Sequence, residues 1–216
     1  MNLKNYTNNT ASTHVGYDLI LNEIPDLSRV LDLGCGDGAL LDLLREVKSV
    51  DARGVEISSE GVSRCLEKGL YVYQGDIDGG LADYRSDSFD YIILNQTLQD
   101  TKKPAYVIQE IMRICRNAII SFPNFGYYLN RLQLLSHGTM PKNRLLPFEW
   151  HDSPNIHLLS IKDFRLYCRA NAYPIKRERH FCLGGNSVSR PVRLGANLFA
   201  EYGFFVLDGA AFTPAP

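Results

Sequence analysis

The sequence predicts an α/β domain built on a mostly parallel sheet of seven strands, with helices on both faces and an antiparallel hairpin at the C-terminal end. Three observations predict it. From Arg29 onward short apolar runs alternate with helical patterns, the order that builds a parallel sheet. The first run enters a glycine-rich turn that opens a helix, Val30-Leu31-Asp32-Leu33-Gly34-Cys35-Gly36-Asp37-Gly38. The last two runs are joined by Leu183–Ala196, which has no helical period, so they pair antiparallel. At 216 residues the chain is expected to form one domain over 1–216.

An early helix covers Val15–Ile24. The strands are Val30–Leu33, Ala52–Ile57, Tyr71–Gln74, Phe89–Leu94, Ala118–Phe122, Pro174–Phe181 and Leu198–Leu207, which are β-branched, aromatic or continuously apolar. Ala39–Val47 forms the helix after the first strand. Ser58 or Ser59 caps the next, which Gly69 closes; Pro104 suits the first turn of another; Ser160 with Asp163 has the spacing of a capping box. Residues 124–157 break this rhythm. They hold a helical stretch, Tyr127–Leu135, and then the loop HGTMPKNRLLPFEWHDSPNIH with three prolines. Because this segment follows the fifth strand, it is expected to form a lid over the carboxyl ends of the strands, where open α/β sheets bind ligands.

Composition narrows the function. With 45% hydrophobic and 22% charged residues the chain is an ordinary globular protein. Its 23 basic and 24 acidic residues give a formal charge of -1, so no electrostatic footprint for nucleic acid or an anionic membrane is expected, and a small-molecule or protein partner is favoured. The five cysteines have no C-x-x-C spacing, which fits reduced thiols in the cytoplasm and neither a disulfide scaffold nor a zinc ribbon. The N-terminus MNLKNYTNNTASTH has no apolar run of a signal peptide, and no stretch approaches the roughly 20 apolar residues of a membrane span.

Glycines at the end of a buried strand let a ligand lie directly on the peptide. Gly34-x-Gly36-x-x-Ala39 also satisfies the loose dinucleotide fingerprint, so neighbouring acids must discriminate. Asp32, placed before the glycines, suits the cationic amino group of a methionine moiety and would repel a pyrophosphate. Glu56, at the end of the second strand, can accept both hydroxyls of a ribose in either cofactor class. Asp76 can accept from an adenine amino group while Ile77 packs on the ring, and Asn95 and Gln96 end the fourth strand on the reacting side. The pattern favours S-adenosylmethionine over NAD. Asp90 reads as a backbone partner and Asp37 as an acid at a helix N-terminus.

Candidate bases are His151, Asp152 and His157 in the lid, with Asn95 after the fourth strand. A second reading has Trp150 and Phe148 anchoring the loop to the core while the histidines satisfy backbone groups. No metal is expected, since His151 and His157 lack a third ligand at recognisable spacing. Arg131, Lys142 and Arg144 are cations that suit an acidic substrate or protein, or solvation alone. The run Lys176–His180 reads as a charged edge, and Cys35 as a small residue in a tight turn.

Taken together, VLDLGCGDG, GVEIS, QGDID, SFDYIILNQTLQ, ISFPNFG, PFEWHDSPNIHL and NLFAEYGFFVL resemble the MetW proteins of bacterial methionine biosynthesis, themselves similar to class I S-adenosylmethionine-dependent methyltransferases. The resemblance runs from about Arg29 to Leu207. It implies a seven-stranded, Rossmann-like methyltransferase sheet with S-adenosylmethionine held by Asp32, Gly34, Gly36, Glu56, Asp76 and Ile77; Cys35, Ile57 and Asn95 are expected to complete the cofactor site. It also implies two functions: methyl transfer to a small-molecule acceptor, or association with homoserine O-acyltransferase (MetX) as its regulatory partner. Neither an Asn-Pro-Pro-aromatic run nor a Pro-Cys nucleophile is present, which argues against nucleic-acid methylation.

Overall fold

The computed structural model describes residues 14–184 and 188–212. Its strands are β1 (Arg29–Leu33), β2 (Asp51–Glu56), β3 (Tyr71–Gln74), β4 (Phe89–Asn95), β5 (Cys115–Pro123), β6 (Ile175–Glu178), β7 (Phe181–Leu183), β8 (Ser189–Pro191) and β9 (Tyr202–Asp208). Its helices are α1 (Tyr17–Glu23), α2 (Ala39–Lys48), α3 (Ser59–Glu67), α4 (Pro104–Ile114), α5 (Tyr128–His137), α6 (Ile161–Ala170) and the single turn α7 (Ala196–Phe199). The sheet runs β3-β2-β1-β4-β5-β9-β7-β8, with β6 also paired to β9. From β3 to β5 every pair is parallel; β9 is antiparallel to β5 and to β6.

Successive strand residues face opposite sides, so continuously apolar strands feed two cores. Leu31, Leu33, Ile92, Ile120 and Phe205 pack with α4 and α6 in one layer. Val30, Ile93, Ile119 and Phe204 pack with α1, α2 and α3 in the other. The anticipated caps form: Ser58 Oγ accepts from Gly61 N, Pro104 starts α4, and Ser160 and Asp163 make a reciprocal capping box.

The sheet has nine strands among the described residues where seven were expected, and the difference lies at its C-terminal side. The expected strand Pro174–Phe181 is divided. Past Glu178 the buried His180 turns inward, its Nδ1 accepting from Phe204 N at 3.4 Å, and Phe181 restarts as β7, stacked on Tyr202 at 5.2 Å. The connection expected to be irregular contains β8, which pairs back on β7. The expected strand Leu198–Leu207 begins only at Tyr202. Before it, Gly195 in the left-handed region (φ 60°) opens α7, and the buried Asn124 amide donates to Asn197 O (3.2 Å) and Ala200 O (2.8 Å), so these carbonyls bond a side chain.

Candidate functional site

Strand order reverses between β1 and β4, and parallel strands diverging from such a point leave a crevice at their carboxyl ends. Here it is a cleft of about 380 Å³ lined by Gly34, the end of β2 with Ile57, the turn Gly75–Asp78 after β3, and the segment after β4 that carries Asn95, Gln96, Thr97, Asp100 and Lys102.

The glycine turn is fastened to β2. Gly34 N and Cys35 N donate to Val55 O at 2.8 and 3.2 Å. Gly36 N donates to one carboxylate oxygen of Glu56 and Ser58 N to the other, both at 2.8 Å. Each oxygen of Glu56 keeps acceptor capacity for a further donor. Gly34 has φ 77°, and a Cβ there would lie 2.6 Å from Cγ2 of Thr97, so only glycine fits. Gly36 has φ 57°, but a Cβ would meet nothing within 4 Å, so the space above it is open.

Asp32, one residue from the end of β1, is only 3% exposed, and among the described residues its carboxylate has no hydrogen-bond partner. Burial, and then the charge of Glu56, push its pKa up to about 7. It is not among the residues that line the cleft, but Glu56, which does line it, is the charge that acts on it. Tyr17 of α1 is close by, its phenol pushed up by burial and by the charges of Asp32, Asp37 and Cys35. No sequence signal distinguished Tyr17 within its helix.

Asp76 is exposed on the cleft and accepts from Asp78 N at 2.9 Å; Ile77 beside it is buried. Asp78 was not anticipated. Its two oxygens accept from Lys102 N (2.8 Å) and Lys103 N (2.7 Å), tying the β3 turn to the start of α4 and fixing two walls of the cleft.

The block Asn95–Gln99 is scaffolding. Asn95 donates to Val15 O at 3.2 Å and accepts from Ser121 Oγ; Gln96 donates to Ser121 Oγ at 2.9 Å, and Gln99 to Gln96 O at 2.6 Å. Asn95 therefore lines the cleft with both polar ends of its side chain already engaged. Asp100, on a short 3₁₀ turn (Leu98–Asp100), was missed by sequence reasoning, since nothing in the spacing distinguishes it. It lines the cleft, its Oδ1 is buried without a hydrogen-bond partner among the described residues, and burial raises its pKa to about 6.

The segment expected to be a lid is attached at the cleft by a backbone strap, Ile156 N and His157 N both donating to Gln99 O at 2.8 and 2.9 Å. His151, Asp152 and His157 are exposed, and none of them lines the cleft. Trp150 is 77% exposed and Phe148 47%, so these aromatics do not anchor the loop; buried Leu145 and Leu146 do. The loop cations are engaged: Arg144 pairs with Glu201, Lys142 with Glu149, and Arg131 donates to Gly126 O. Asp90 holds Arg29, Asp37 accepts from Ala39 N and pairs with Lys68, and Cys35 Sγ lies 3.9 Å from Cys65 Sγ in the core. Among the described residues there is no cluster of three potential metal ligands, and no helix is long and apolar enough to cross a membrane.

The family profile described as methionine biosynthesis protein MetW matches residues 14–207. The bifunctional methionine biosynthesis protein MetXA/MetW of Rhodopirellula baltica is 38% identical over 161 residues, which cover 70% of this chain and 26% of that protein; the chain thus spans about a quarter of its curated relative. Among solved structures, an S-adenosylmethionine-dependent methyltransferase from Mesorhizobium loti superposes with a TM-score of 0.65 at 15% identity, covering 94% of this chain and 99% of that one. The [4+2]-cyclase SpnF superposes with a TM-score of 0.57 at 18% identity, covering 76% and 59%. The fold is that of the class I methyltransferases, and one protein that shares it is named for a cyclisation.

Proposed function

This chain belongs to the MetW family of methionine biosynthesis proteins, and from that premise we propose that it binds S-adenosylmethionine in the cleft and transfers its methyl group to a small-molecule acceptor in the cytoplasm. The observation that carries the reading is Asp32. Its buried carboxyl, beside an open glycine turn and with its pKa raised to about 7, is poised to ionise when a cation settles next to it. The methionine ammonium and the sulfonium are such cations. A pyrophosphate would instead meet Glu56, Asp76 and Asp100 on the cleft wall, with Lys102 as its cation, so a dinucleotide fits poorly.

In this reading Asp32 holds the ammonium, Gly34 and Gly36 offer bare peptide, and Cys35 keeps the turn small. Glu56 takes the ribose hydroxyls with the acceptor capacity left by Gly36 N and Ser58 N. Asp76 accepts from the adenine amino group, with Ile57 and Ile77 flanking the ring. Asn95 positions the end of β4. When bound, S-adenosylmethionine supplies an activated methyl carried by a sulfonium. The chain's own contribution is alignment, with Asp100 an acid on the cleft lining whose raised pKa suits it to take up a proton. The test is calorimetric titration with S-adenosylmethionine and S-adenosylhomocysteine. Both should bind, and Asp32→Ala and Glu56→Ala should each weaken binding by about tenfold or more, the worth of a charge-assisted hydrogen bond. Absence of heat and of any thermal shift at millimolar ligand rejects the proposal.

A second reading is favoured by one specific observation, the relative in which this unit is joined to MetXA. In it the chain is a regulatory partner of a MetX-type homoserine O-acyltransferase. Acyltransferase rates measured with and without the chain decide it: a raised rate supports it, and an unchanged rate with no complex removes it.

A further inference from the structure

The helix α5 is built inside out. Of its ten residues only Asn130 is buried, and its amide fixes the helix by donating to Phe125 O at 3.1 Å while its oxygen accepts from Asn143 Nδ2 at 2.7 Å. Tyr128, Leu132 and Leu135 recur at i, i+4 and i+7, a single stripe along a helix. They are 42%, 54% and 85% exposed, and Leu129 beside them is 43% exposed. The ring of Phe199, half exposed, lies 6.3 Å from that of Tyr128 and continues the stripe. Other exposed apolar side chains, such as Leu27 and Leu66, stand on separate elements. A contiguous apolar stripe on a helix fastened by polar bonds marks an interaction surface rather than random exposure.

We infer that the outward stripe of α5 is the surface on which the chain docks a MetXA-class acyltransferase; this rests on the second reading of function above. Two observations select that occupant. The relative carries this unit covalently joined to MetXA, an arrangement that raises the effective concentration of one surface against the other. Arginines gather beside α7, but α5 itself lacks the lysine- and arginine-rich polar face of a membrane-surface helix. Its one arginine, Arg131, is turned onto Gly126 O and Asn197 O, and no lysine lies on the helix. The predicted contact is therefore apolar, with Leu132 and Leu135 at its centre.

The experiment measures binding of the full chain to a purified MetXA-class acyltransferase by calorimetry, with wild type, the double variant Leu132→Asp/Leu135→Asp, and the control Leu27→Asp/Leu66→Asp. Thermal melts establish that both variants are folded. The stripe variant should lose about 100-fold in affinity, as expected for two central anchors, while the control stays within about threefold of wild type. Equal affinity of stripe variant and wild type overturns the surface and leaves the partnership standing. No binding by wild type removes the partnership and the surface with it. A wild-type dimer in sedimentation that the stripe variant dissolves assigns the stripe to a second copy of this chain and overturns the proposal.

Discussion

At the scale of single residues, the most consequential is Asp32. Its carboxyl is held near pKa 7 by burial and then by Glu56, against an ordinary 3.8. A raised acid favours the folded state fully below its unfolded value and ceases to do so as pH climbs through the folded one. Stability without ligand should therefore fall between pH 4 and pH 8, by an amount on the order of 4 kcal/mol from this group alone. Urea denaturation across that range checks it, and Asp32→Asn should flatten the slope. Binding of a cation beside Asp32 near pH 7 should release a proton, visible as a dependence of the calorimetric heat on buffer ionisation. The glycines give a sharper contrast. Gly34→Ala meets Thr97 as well as a left-handed backbone, whereas Gly36→Ala meets only the backbone cost of about 1 kcal/mol. Gly34→Ala should be the more destabilising in urea. That Glu56 and Asp76 end up on the cleft was legible in the sequence because they end or follow strands of the parallel sheet, whereas the burial of Asp32 out of the cleft lining was not. Nor were Asp100 and Tyr17, since their positions depend on how a short turn and a separate helix fold back on the cleft.

Elements were legible where local chemistry decides them and illegible where a distant side chain does. The capping box at Ser160 is local, and its loss in Ser160→Ala should cost about 1 kcal/mol of stability in thermal or urea melts. The turn α7 is the opposite case. An apolar, aromatic run reads as strand, yet Asn124, more than seventy residues earlier, captures the carbonyls of Asn197 and Ala200 and accepts from Gly126 N and Ile161 N. Asn124→Ala leaves several buried groups unpaired and should cost about 3 kcal/mol or more, well above the loss of a surface cap. The division of the sixth expected strand at His180 has the same origin: an inward imidazole satisfied by Phe204 N is invisible to a count of β-formers. In the expected lid, periodicity located α5 but could not reveal that its apolar residues face outward.

At the scale of the molecule, the two apolar layers share one sheet, and the cleft joins the ends of β2 and β4 to the glycine turn. Ligand bound there should stabilise the whole. S-adenosylhomocysteine at 100 times its dissociation constant should add about 2.7 kcal/mol and raise Tm by roughly 5–10 °C for a chain of this size, in a single transition. Two separate transitions, only one of them shifted, would show that the segment 124–157 unfolds apart from the sheet. The antiparallel strand β9 sets a further condition, because it lies between β5 and β6 and bonds both. A ribosome delivers β1 through β5 long before residue 202 emerges, so the growing polypeptide must carry a bare apolar edge at Ile119 and Ile120 for the whole interval. Slowing translation over that stretch should lengthen dependence on chaperones, and completion of the sheet should mark the moment of release.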